Sequence, residues 1–192
     1  MQRYHTNERD ETEAATPSEP QKEQLDHHGI LASERIDEVL MLCDRNHPLY
    51  EQVSSFSVAL YVLGFFDCSD FMSFHDVLVF EAAEILREEY SPVDFDDIED
   101  DYRLSKSRER YLLVVGDPLF PVHFAVLVNK GAIRPYFSKL PLFGAGYDSL
   151  EELVTEFCGK EGVKSEDFHY YRKSSPKSSF RFPTGIIYIV NK

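Results

Sequence analysis

The chain has 192 residues, 43% of them hydrophobic, and a formal charge of −14, enough material for one domain to bury a core without staples. Its three cysteines, Cys43, Cys68 and Cys158, are widely spaced, which argues against a disulfide framework or a thiolate metal site and points to a reducing, cytoplasmic setting. The acid is concentrated early: 26 acids against 10 bases through Arg110, then 8 against 10, a field that repels phosphate backbones and so disfavours nucleic-acid binding by the first half.

Residues 1–28 are dominated by Glu, Asp, Gln, Thr and Pro; ordering them would cost backbone entropy that no apolar burial offsets, so a disordered acidic tail is expected, with a single domain over 29–192. Neither a cleaved signal nor a membrane span is expected, because no basic start precedes an apolar run and the longest such run, 58–66, is far below the roughly 20 residues a bilayer requires. His27 and His28 at the tail junction read as solvated.

A first helix is predicted from Ser33, with Ile36, Val39, Leu40 and Cys43 on one face and Asn46 and Pro48 ending it. Residues 53–66 fit two patterns, since Phe56, Val58, Leu60 and Val62 alternate as in a strand while Val53, Phe56, Leu60 and Leu63 follow a helix; length favours a buried helix. A third helix is expected from Ser73, capped with Asp76, lined by Leu78, Ala82, Ile85, Leu86 and Tyr90, and stopped by Pro92. Next come Asp94, Asp96, Asp97, Glu99, Asp100 and Asp101. This run lacks the glycine and terminal glutamate of a calcium loop, and reads as a solvated connector suited to a basic partner; no metal or cofactor is expected.

Strands are predicted at 111–115 and 122–128, joined through Gly116, Asp117 and Pro118, then at 132–140, where Pro135 restricts pairing. Gly144-Ala145-Gly146 reads as a flexible entry to a short helix capped by Asp148 with Glu151, or Ser149 with Glu152, and ended by Gly159. Strands at 168–172 and 186–190 complete the sheet. The aromatic and basic residues at 169–173, with Lys177 and Arg181 beyond them, suit a nucleic-acid surface poorly, because strand alternation sends the rings to opposite faces. The predicted class is α+β: three N-terminal helices beside a four- to five-stranded antiparallel sheet with one inserted helix.

Cys68 ahead of a helix and His123 on a strand form the one candidate catalytic pair, a thiol nucleophile with its base. Around Asp67-Cys68-Ser69 and His123 the chain, over about residues 66–136, resembles the papain-like cysteine peptidases and amidases of bacterial cell-wall type, with Asp70 in place of the family's glycine. The resemblance implies Cys68 as nucleophile and His123 as base, in a hydrolase acting on an amide or ester. The preferred reading is a small acidic non-catalytic interaction protein, an inhibitor or immunity-type antagonist that meets a basic protein through Asp94, Asp96, Asp97, Glu99, Asp100 and Asp101.

Overall fold

A computed structural model describes residues 30–46, 53–68, 70–73, 75–160 and 162–173; the predicted tail 1–28, the histidine pair within it and the predicted strand 186–190 lie outside the described residues. Among the described residues four helices and six strands follow in an α+β order, three helices first: α1 (Ala32–Cys43), α2 (Ser55–Val62), α3 (Val79–Glu89), β1 (Tyr90–Val93), β2 (Tyr111–Asp117), β3 (Phe120–Leu127), β4 (Tyr136–Leu140), β5 (Gly144–Asp148), α4 (Leu150–Phe157) and β6 (Phe168–Lys173). The strands form one open sheet in the order β1-β6-β2-β3-β4-β5, each neighbour antiparallel.

The sheet is covered on both sides, which is why β2 and β3 read as continuous apolar runs. Leu112, Val114, Phe124 and Val126 face a core built with α1, α2 and α3. Leu113, Val115, Ala125 and Leu127 face a second core with Ile98, Tyr102, Leu153 and Phe157. The 53–66 ambiguity resolves as helix over 55–62, where every residue from Phe56 to Val62 is buried; a helix enclosed all round loses its amphipathic period.

The third helix starts at Val79, later than expected, because Asp76 caps a different element. Its Oδ1 accepts from Ser54 N–H and Oγ at 2.8 Å and from Ser57 Oγ at 2.5 Å, so it serves the start of α2. Glu81 instead accepts from Leu78 N–H at 2.8 Å, and Leu78 itself is exposed. Tyr90 belongs to β1, an edge strand in which Pro92 forfeits no interior ladder bond.

Gly144-Ala145-Gly146 is the second correction: it forms most of β5. The end of α1 crosses this strand so closely that a Cβ on Gly144, at φ +77°, would lie 2.5 Å from Asp44 O, and one on Gly146 would lie 2.8 Å from Arg45 Nε. These glycines admit a neighbouring backbone and side chain, a use of glycine that resembles a loop signal in sequence. With β1 and β5 included, the sheet has six strands among the described residues, not four or five. The inserted helix falls between β5 and β6, capped by Ser149 and Glu152.

Candidate functional site

The acidic run leaves β1 at the sheet edge and lies against the second core. Its apolar residues hold it there: Ile98 is buried, Phe95 stacks on Tyr170 with ring centroids 4.8 Å apart, and Tyr102 is buried edge-on to Tyr111 at 4.9 Å. Lys130, from the turn after β3, is the central tie. Its side chain is 9% exposed; Nζ donates to Ile98 O at 2.6 Å and to Asp100 Oδ1 at 3.0 Å, and sits 4.6 Å from the centre of the Phe95 ring. Backbone bonds from Tyr102 N to Glu99 O, Lys130 N to Tyr102 O and Leu104 N to Val128 O tie the segment further.

Anchored from beneath, the run turns all six predicted carboxylates, Asp94, Asp96, Asp97, Glu99, Asp100 and Asp101, to solvent. Asp100 pairs with Lys130, and among the described residues the other five form no ion pair. Several surface carboxylates elsewhere are paired: Glu84 and Glu88 meet Arg87, Glu152 meets Arg134, Glu156 meets Lys160 and Glu166 meets Lys164. Two like charges about 7 Å apart in water repel by roughly 0.6 kcal/mol before screening, so a cation placed among several is drawn by their sum.

Two depressions flank the segment. One, of about 740 Å³, opens beside Asp94 and Asp97 and is walled by Val93, Phe95, Phe168 and Tyr170. The other, of about 530 Å³, mixes Glu99, Asp101 and Glu109 with Arg103, Lys106 and Arg108. Arg172 also lines the first depression, and Arg103, Lys106 and Arg108 line the second, so positive side chains border the ledge at both ends, more of them at the far one.

Cys68 and His123 are not brought together. Cys68 is 4% exposed within the α1–α3 core, and its carbonyl accepts from Arg35 Nη2 at 3.2 Å. Burial pushes its thiol up, outweighing a backbone hydrogen bond from Asp70 and the charge of Arg35. It precedes the short 3₁₀ turn Phe71–Ser73, not an α-helix, so the helix-dipole activation that its position suggested is missing.

His123 lies on the other face of the sheet. Its neighbour Phe124 points into the core that contains Cys68, whereas the His123 ring packs on Phe157 of α4, with centroids 4.6 Å apart. Desolvation, then the charges of Lys139 and Arg45, push this imidazole down to about 3. A base must reach its nucleophile directly or through one water, and here a strand layer intervenes.

Of the other sequence candidates, His75 is exposed. Tyr170 and Tyr171 pack toward opposite faces of the inner strand β6, the division that strand alternation predicted. Among the described residues no group of three or more His, Cys, Asp or Glu gathers to hold a metal, and no helix is long and apolar enough to cross a membrane.

A buried polar network went unseen in sequence. Arg45 Nη2 meets both oxygens of Asp148, at 2.6 and 2.5 Å, and Ser138 Oγ donates to Asp148 Oδ2 at 3.1 Å. Asp148 had the spacing of a helix cap, and nothing in the local pattern links it to a residue 103 positions earlier.

No family model matches this sequence, and no curated protein or solved structure gives a match to it.

Proposed function

We propose that the protein is a small acidic interaction protein without catalytic activity, an inhibitor or immunity-type antagonist that engages a basic protein through the 94–101 ledge. The observation that carries the reading is the density of unpaired charge: five carboxylates on one short, anchored segment have no described counter-ion, whereas on α3 and α4 Glu84, Glu88, Glu152 and Glu156 each have one. A ledge held by Ile98, Phe95, Tyr102 and Lys130 loses little freedom on binding, so its electrostatic attraction is not spent on ordering a loop. The groove beside Asp94 and Asp97 supplies apolar wall for the stem of a partner's lysine or arginine. The hydrolase reading gains no support, since Cys68 and His123 face different cores.

The test compares the full chain with a variant carrying D96N, D97N and D101N, in recovery of a basic protein at rising salt. Retention that falls steeply with salt and drops about tenfold or more in the variant is expected, at roughly 0.5 kcal/mol or more for each neutralised carboxylate. Binding indifferent to salt, or unchanged in the variant, overturns the proposal. D100N serves as a separate probe because it also loosens the Lys130 tie.

A further inference from the structure

The sheet face beneath α4 carries a polar group that plays no part in the 94–101 ledge. His123 is 1% exposed and its Nε2 has no hydrogen-bond partner. A neutral orphan nitrogen is a modest penalty in a core, whereas a protonated one is a severe penalty. No neighbouring element is placed to relieve it. β4 contributes the cation Lys139, and Arg45, beyond α1, contributes a second. Asp148, at the end of β5, is committed to Arg45 and Ser138. β2 opposes His123 with Val115. On the turn before β6, Asp167 accepts from Lys164 N and Glu166 pairs with Lys164 Nζ. α4 lays Phe157 on the ring, and its Glu156 is turned to Lys160 at the surface.

We propose that His123 is an acid-operated latch on α4: when Nε2 takes up a proton, α4 lifts from the sheet while α1, α2 and α3 stay packed on the opposite face. α4 is the element built to yield. It has eight residues, too few to persist as an isolated helix, and Leu153 and Phe157 are its buried anchors. Gly159 and Gly162 follow it at φ +80° and +79°, and the chain re-anchors at Val163, buried in the same core, so the lifted unit ends there. Lifting α4 exposes His123 to water, which stabilises the charged ring at the price of one short helix rather than the whole fold.

The sign follows from linkage. The ring titrates near 6.5 when solvated and at about 3 when covered, so the open form binds the extra proton and gains population as pH falls below 6.5. Between pH 7 and pH 5 the open-to-closed ratio rises about 25-fold.

Amide hydrogen exchange of the full chain at the two pH values, corrected for intrinsic rates, reads this directly. Protection over residues 150–157 should fall about 25-fold more than protection over α2, and the difference should vanish in both H123F and H123Q. An unchanged α4 at pH 5, an equal fall in the two variants, or loss of protection by α2 and α4 together would each overturn the latch. It stands independently of whether the 94–101 ledge meets a basic partner.

Discussion

The Arg45–Asp148 pair joins the end of α1 to the end of β5 across the sheet edge, and its two members are unequally buried: the Arg45 side chain is 30% exposed and that of Asp148 is 1%. That inequality predicts which substitution does more harm. In R45M, the Asp148 carboxylate stays enclosed with Ser138 Oγ as its remaining donor among these partners, the situation of an uncompensated buried charge, and stability should fall by about 3–5 kcal/mol. In D148A, the guanidinium can turn to water, so the loss reduces to a small cavity and one hydrogen bond to Ser138, about 1–2 kcal/mol. The double variant R45M/D148A removes the orphan charge and should be more stable than R45M alone. Urea unfolding of all four proteins at pH 7 separates these values, since 2 kcal/mol moves the midpoint by about 1 M at a slope near 2 kcal/mol/M. The reasoning is refuted if D148A loses as much as R45M, or if the double variant is no better than R45M.

The glycines of β5 should rank by what an added methyl would strike. G144A, which meets the backbone oxygens of Asp44 and Cys43 at 2.5 and 2.6 Å with φ at +77°, should destabilise by about 3 kcal/mol or more, whereas G146A meets the Arg45 side chain, whose retreat strains but need not break the pair with Asp148, and should cost less, about 2 kcal/mol, in the same unfolding assay. K130M removes the tie beneath the acidic ledge and should cost about 1–2 kcal/mol. It should also weaken a basic partner severalfold although the ledge becomes more negative; tighter binding in K130M, measured by calorimetry, would mean that charge alone matters. A thiol probe near pH 7 should modify the half-exposed Cys158 at least about tenfold faster than Cys43 or Cys68, which are buried and whose thiols are pushed up by desolvation. Fastest labelling at Cys68, slowed by replacing His123, would restore the hydrolase reading.

Local chemistry was legible in the sequence. The stripe Ile36, Val39 and Cys43 gave α1, the hairpin over 111–127 followed from two apolar runs around Gly116, Asp117 and Pro118, and the start of α4 followed from two overlapping cap spacings of which Ser149 with Glu152 is the one used, because each depends on residues a few positions apart. The acidic run was equally plain, since charge and the absence of a calcium-loop glycine are read directly from residue types. Less visible were elements defined by their neighbours. β1 is short and contains Pro92, and β5 is written Gly-Ala-Gly-Tyr-Asp; neither has the apolar period of a strand, and each exists because an adjacent strand and, for β5, the end of α1 are there to pair with it.

The candidate sites divide in the same way. That Asp94, Asp96, Asp97, Glu99, Asp100 and Asp101 face water was open to reading from composition, but that Lys130 neutralises one of them and pins the rest rests on a contact across 30 residues. Cys68 and His123 looked like a pair because one-dimensional order carries no information about which side of a sheet a residue faces; the alternation of β3 at His123 and Phe124 assigns them to different cores. Sequence by itself determined the class of fold, the hairpin, two of the helix stripes and the sign of the surface, all consequences of short-range periodicity and side-chain type. Tertiary structure alone decided which helix Asp76 caps, how Arg45 reaches Asp148, and that His123 lies sealed beneath α4, because burial and partnership arise only when distant segments fold onto one another.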